Sequence, residues 1–351
     1  MRWPLAAFVL CCTTSCRGSA VPTSLADTQW LVLRIDTVQV APHRPGTSTS
    51  WDNPAPQSSD GAECALLGAA GSFLFHPIAG KAAQYLCSFG SSPRTQDQDP
   101  TAPDLVVELS IGATTSYPTY TARDTLNHVF RSEFIVPTGA IGPEGLLLTV
   151  SDRDGNQREV IGSLRLRQEQ LEQALASNPL LTLSDPTGSL QRLELVVSPH
   201  TSPMEKMDVA MEVRAGTVDS RFRQVRAGEV VEVAATGQYK VGKLYFDDWI
   251  SPQGYPNGNG QTFNFNMDPF KSAPHGSGLA MVGVGDAKTG AIVASCARFV
   301  SRSSGPLIVG INDSDPTNNE GNAQFAIRVQ PPSALEWLNG QTAGCAPGPG
   351  K

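Results

Sequence analysis

The chain has 351 residues, more than one compact domain usually holds, and 40% of them are hydrophobic, enough to fill cores. Charged residues make up only 17%, while Gly and Pro number 33 and 27, which points away from a helical protein and toward short strands joined by turns. The formal net charge of -7 leaves no strong basic field, so nucleic acid is not an expected partner, whereas an acidic balance suits solubility and hard cations held by oxygen ligands.

In chain order, Arg2 precedes the apolar run from Trp3 to Leu10, and small residues follow to Cys16. That pattern predicts a secretory signal peptide over residues 1–16. The run is shorter than the roughly 20 apolar residues a membrane span needs. Thr14-Ser15-Cys16 resembles the end of a bacterial lipobox, with Thr13 where leucine is usual. Cleavage before Cys16 would leave that cysteine lipidated, and the protein anchored to a membrane of the cell envelope; plain secretion is the alternative. Four further cysteines remain, Cys64, Cys87, Cys296 and Cys345. An even number suits an oxidising compartment. Three pairings are open, of which Cys64–Cys87 with Cys296–Cys345 keeps each bridge local, and four free thiols are the alternative. The absence of Cys-x-x-Cys spacing argues against a thiolate metal site.

Residues 17–28 are small and polar and read as a tether. From Trp30 to Val40, Leu31, Leu33, Ile35, Val38 and Val40 interleave with polar residues, which predicts a strand. Residues 53–103 read as an insertion containing Cys64 and Cys87. Strands are predicted at Leu105–Ser110, Phe130–Val136, Leu146–Ser151 and Val160–Leu166, a short helix at Gln168–Ala176, and strands at Leu180–Leu183 and Leu190–Val197. The first domain thus covers 29–200, and 201–206 is a proline-bearing linker. A second domain, 207–331, carries strands at Val209–Gly216, Val230–Ala234, Leu279–Val284, Ala291–Val300, Leu307–Ile311 and Gln324–Val329. Residues 332–351 read as a tail. The fold class is all-β, with two antiparallel β-sandwiches.

In the first domain, Leu146 to Asp154, Glu159-Val160-Ile161-Gly162, Thr121 to Phe130 and Arg192 to Val197 together resemble segments of C2 domains. The resemblance implies a Greek-key sandwich with carboxylates gathered on loops at one end. Calcium needs six to eight oxygens, and carboxylates supply both oxygen and charge. By position Asp152, Asp154 and Glu159 would be ligands of one loop, and Asp52 and Asp104 of another. The implied partners are a phospholipid surface or a protein. Asp152-Arg153-Asp154-Gly155-Asn156 also fits a plain polar turn.

In the second domain, Leu307 to Asp313, Asn318-Asn319-Glu320-Gly321 and Phe325-Ala326-Ile327 resemble the calcium loop of galactophilic lectins of the PA-I (LecA-like) type. Val225 to Val231, Ala234 to Gly237, Ser251 to Gly254 and Gly278 to Gly285 match further segments in the same order. The resemblance implies a jelly-roll sandwich binding carbohydrate through calcium. Asp313, Asn318 and Asn319 would supply side-chain oxygens, with main-chain carbonyls near Asp315 to Thr317 and near Tyr239. Sugar hydroxyls would bridge to the ion beside Asp313 and Asn319. The family's His-Pro-x-Gln becomes Tyr255-Pro256-Asn257-Gly258 here, so galactose preference does not carry over. Tyr255 would stack on a sugar and Asn257 hydrogen-bond it. The Asn pair also fits a tight turn, since asparagine tolerates left-handed geometry.

No catalytic set emerges. His43, His76, His128, His200 and His275 are scattered, and neither a Gly-x-Ser-x-Gly elbow nor a His-Glu-x-x-His pair occurs. Gly283 to Gly290 imitates a phosphate loop, but the residue order fits a hairpin turn. The expectation is a non-enzymatic, calcium-dependent carbohydrate-binding protein. A metal-free interaction lipoprotein and a calcium-dependent phospholipid-binding protein are the alternatives.

Overall fold

The computed structural model describes residues 24–52, 100–112, 115–155, 157–242, 248–255, 266–267, 270–283 and 288–345. The predicted signal peptide, Cys16, Cys64, Cys87 and Asn257 lie outside them.

Alternation in Trp30–Val40 forms strand β1, whose Leu31, Leu33, Ile35 and Val38 are fully buried. β1 is central in a four-stranded antiparallel sheet, between β4 (Asn127–Pro137) and β8 (Leu190–His200), with β7 (Leu180–Leu183) at the edge. The facing sheet runs β3-β2-β5-β6, from Tyr117–Pro118, Leu105–Ser110, Leu146–Asp152 and Glu159–Leu166. Both sheets bury their inward residues in one core. Helix α1 (Gln168–Ala176) connects them, with Leu171 and Ala174 inward at helical spacing. The predicted insertion leaves and rejoins the sandwich at neighbouring points, because Asp52 N–H donates to the Thr101 carbonyl at 3.2 Å.

The connector is shorter than expected, because β9 (Glu205–Glu212) begins inside the predicted linker. β9 pairs with β16 (Glu320–Gln330), which pairs with β11 (Val230–Lys240), which pairs with β14 (Cys296–Val300). The opposing sheet contains β10 (Thr217–Asp219), β15 (Leu307–Ile311), β12 (Gly278–Val282) and β13 (Thr289–Ile292). Antiparallel pairing of Val282 with Thr289 supports a hairpin at the phosphate-loop look-alike. The stretch expected as one strand, Ala291–Val300, is two. The chain leaves one sheet after Ile292, passes Ala294 at φ 22°, and enters the other at Cys296. Such a sheet switch keeps the apolar pattern going while the partners change.

The two sandwiches are joined by more than their connector. Ile135 N–H donates to Ala227 C=O at 2.8 Å, and Ala227 N–H donates to Glu133 C=O at 2.9 Å. Arg226 pairs with Glu133 at 2.8 Å, while Arg223 and Arg226 together neutralise the fully buried Glu229. Residues 332–345, expected as a tail, supply helix α2 (Ala334–Asn339). Ser333 caps it, its Oγ accepting from Glu336 N–H while its own N–H donates to the Glu336 carboxylate. Its Trp337 is fully buried in the first core, stacks on Tyr117 with ring centroids 4.6 Å apart, and donates Nε1–H to Ile135 C=O at 2.7 Å. Cys345 is bridged to Cys296 on β14, one of the two pairs expected from locality. No helix among the described residues is long and apolar enough to cross a membrane.

Candidate metal and ligand sites

The acidic site follows from strand register. β2 against β5 sets Leu105 opposite Asp152, and β5 against β6 sets Asp152 opposite Glu159. An isolated bridge between Leu105 and Ala122 then places Asp124 beside Asp104. Main-chain donors fix the carboxylates: Asp104 N–H reaches Asp152 Oδ1 at 2.8 Å, and Asp124 N–H reaches Asp104 Oδ1 at 2.9 Å. Arg153 N–H donates to Asp104 C=O at 3.0 Å.

Carboxylate oxygens of Asp52, Asp104 and Asp124 lie within 4.8 Å of one another, as do those of Asp52, Asp152 and Asp154. Asp52 belongs to both groups, so the aspartates surround it. Its Oδ1 is buried without a hydrogen-bond partner. Burial, then the charges of Asp152 and Asp154, push the Asp52 carboxyl up to about 8. Burial pushes Asp104 up to about 6 against the pull of the Asp124 N–H, and burial also raises Asp152. Crowding of this kind favours a proton or a bound cation on Asp52. Calcium sits about 2.3–2.6 Å from each ligand oxygen, so opposite ligands stand up to about 5 Å apart. The spacing here fits that span, and a buried carboxylate oxygen with no hydrogen-bond donor fits a cationic partner.

The structure therefore gathers Asp52, Asp104, Asp152 and Asp154 as expected from sequence. It adds Asp124, buried and left-handed at φ 49°, a conformation aspartate tolerates. It separates Glu159, whose Oε2 accepts from Arg44 Nη2 at 2.7 Å. The same Arg44 nitrogen donates to Trp51 C=O at 2.7 Å, so Glu159 fastens the segment carrying Asp52 rather than joining the cluster.

The second site lies where β15 ends. Asn312 is fully buried and structural: its Oδ1 accepts from Met267 N–H at 3.0 Å, and its Nδ2 donates to the Phe270 and Pro274 carbonyls. Asp313, also buried, accepts from Asp315 N–H at 2.9 Å. Asp315 caps the short 3-10 turn Pro316–Asn318, taking Thr317 Oγ1–H at 2.6 Å. The side chains of Asp315 and Thr317 are thus occupied with each other. Asn319 is fully buried; its Oδ1 accepts from Gly242 N–H at 3.1 Å, and its carbonyl accepts from Arg214 Nε–H at 2.8 Å. Asn318 Oδ1 and Asn319 Nδ2 are buried without hydrogen bonds. Burial pushes the Asp313 carboxyl up to about 7, opposed by the Asp315 N–H. A buried acid beside orphaned amide atoms is costly unless something completes it.

Tyr239 is placed beside this loop, since β11 pairs it with Gly321. Its carbonyl accepts from Ile250 N–H at 2.8 Å, and its hydroxyl donates to Gly276 C=O at 2.7 Å. Tyr255 is half-buried against the second core and stacks on buried His275, centroids 6.4 Å apart. Burial lowers His275 to about 4, which keeps it neutral. Tyr255 therefore packs inward rather than standing free as a sugar platform.

The described residues thus define two antiparallel β-sandwiches, each ending in an oxygen-rich cluster. No family model matches the chain, and no curated protein matches it. Among solved structures it is similar to the N-terminal domain of EclA, a PllA-like lectin, at 16% identity over 35% of this chain and 95% of that one, TM-score 0.26. It is also similar to a C2 domain of plant extended synaptotagmin 1, at 14% identity over 50% of this chain and 98% of that one, TM-score 0.26. The calcium-bound pair of C2 domains of extended synaptotagmin 2 matches at 9% identity over 87% of this chain and 98% of that one, TM-score 0.28.

Proposed function

We propose that this is a non-enzymatic calcium-dependent binding protein that recognises carbohydrate through its second sandwich. The observation that carries the metal is Asp52, whose buried, unpartnered Oδ1 is common to two three-carboxylate groups. Asp52, Asp104, Asp124, Asp152 and Asp154 hold one calcium. Asp313, Asn318 and Asn319 hold a second, to which vicinal sugar hydroxyls bridge. The buried, unpartnered Oδ1 of Asn318 supports that second ligand set. The proposal includes export and lipidation at Cys16, which metabolic labelling with palmitate would detect.

Calorimetric melting of the full chain, with excess calcium and then with chelator, tests the metal. A ligand that binds only the folded state raises the melting temperature by mass action. Glycan retention by the full chain, with and without chelator, tests the carbohydrate. An unchanged melt and chelator-indifferent retention would sink the reading.

A second reading, calcium-dependent contact of the first sandwich with a phospholipid surface, is favoured by Val160. It is 54% exposed and adjoins Glu159 at the acidic end. Pelleting with phosphatidylserine vesicles in calcium, and its loss in Val160→Asp, would support it.

A further inference from the structure

The carbohydrate reading leaves its stacking surface unassigned, because Tyr255 packs on His275 and the second core. Trp249 is 53% exposed, and no other tryptophan, tyrosine or phenylalanine among the described residues stands as open to solvent. Tryptophan is favoured where an apolar body meets a wet, hydrogen-bonding edge.

Its position is set by backbone. Ile250 is bridged to Tyr239 in both directions, at 3.0 and 2.8 Å, which fixes the residue before it. Tyr239 stands opposite Gly321 in the β11–β16 register. Trp249 Cζ3 lies 3.0 Å from where a Cβ on Gly321 would be, and Gly321 has φ +105°. The positive φ, with the Gln238 carbonyl oxygen and Tyr239 Cα at 2.7 and 2.9 Å from that point, requires glycine, and the indole ring lies just beyond them. Gly321 follows Asn319 by two positions, and the same end of β11 continues to Gly242, whose N–H holds Asn319 Oδ1. The Lys240 ammonium stands 5.6 Å from the indole centroid. Indole, lysine and the buried Asn319 amide thus share one strand end.

We propose that Trp249 is the stacking platform of this site and takes the C–H face of a pyranose ring. The inference rests on the carbohydrate reading above. Hydroxyls on one edge of the sugar turn toward Asp313 and Asn319, and the apolar face lies on the indole. The Lys240 ammonium steadies the ring and donates to hydroxyls at its rim. Placing apolar C–H groups on an aromatic face, with polar groups around the edge, suits a ligand amphipathic in this way.

The test uses the full chain in calcium. An array of defined glycans is probed with wild type, Trp249→Ala and Trp249→Phe. Methyl β-galactoside, methyl α-mannoside, lactose and cellobiose are titrated while tryptophan emission is followed. Trp249→Ala should weaken retained glycans at least roughly fivefold, the loss expected for a buried aromatic anchor, while Trp249→Phe keeps most of the affinity. The emission shift on binding should vanish in both variants. The calcium-induced rise in melting temperature should be that of wild type in both, which separates stacking from folding and metal binding. Equal retention by wild type and Trp249→Ala would overturn this inference and leave the carbohydrate reading standing. No retention by wild type of any glycan would overturn both.

Discussion

Replacing Asp52 by asparagine should have opposite effects with and without metal. Without calcium, the folded state raises the Asp52 carboxyl from 3.8 to about 8. A folded-state acid with a raised value stabilises fully only below its unfolded value. That stability is lost as pH rises through the folded value. Between pH 4 and 8, therefore, the chelated protein should weaken steadily. At pH 7 the unscreened linkage would be about 4 kcal/mol, and solvent around this partly open carboxyl reduces it to about 1–2 kcal/mol. Asp52→Asn removes the repulsion, so the chelated variant should melt higher than wild type by roughly 2–8 °C. With calcium the order should reverse, because the variant loses the ligand common to both acid groups. Scanning calorimetry at pH 7, in chelator and in millimolar calcium, reads both effects. A variant that melts lower than wild type in chelator, or that keeps the full calcium response, would refute the reasoning.

Asp124→Asn should weaken calcium binding about tenfold by titration calorimetry, whereas Glu159→Gln should leave it near wild type, because Glu159 is engaged by Arg44. Asp313→Asn should abolish chelator-sensitive glycan retention. In wild type, retention should fall as pH drops through about 7, where protons compete with calcium for the Asp313 carboxyl. Trp337→Ala empties a fully buried site between the sandwiches and should cost about 3–5 kcal/mol in denaturant unfolding. It should also split one transition into two.

Strands whose side chains alternate against a single core were legible in the sequence. Trp30–Val40, Leu105–Ser110 and Leu307–Ile311 have the expected bounds, and the helix Gln168–Ala176 followed from its apolar spacing. The strands Tyr117–Pro118 and Thr217–Asp219 leave no mark in the sequence, because two or three residues carry no period. Ala291–Val300 kept one apolar pattern across two sheets, and periodicity is blind to a change of partner. Among the candidate ligands, Asp152 and Asp154 came from the resemblance of the segment after Leu146 to a C2 loop. Asp124 sits within the Thr121–Phe130 segment that resembles a C2 domain, yet it meets Asp104 only through the Leu105–Ala122 bridge of the folded chain. Nothing local in sequence marks Trp249, because the Gly321 its ring lies against is far away in the chain.

Helix α2 has a bearing on the order in which the chain can finish folding. Trp30 Nε1–H donates to Pro332 C=O across 302 positions, and Tyr117 O–H donates to Trp337 C=O across 220. The N-terminal sandwich thus lacks part of its own interior until residues made much later arrive. At roughly 5–20 residues per second, those 220 positions take roughly 10–45 s to synthesise. Throughout that interval the first sandwich exposes the groove that Trp337 will fill, and a nascent chain must be kept from aggregating there. A frameshift just after β16 would spare every sheet among the described residues and still leave the first sandwich unfinished.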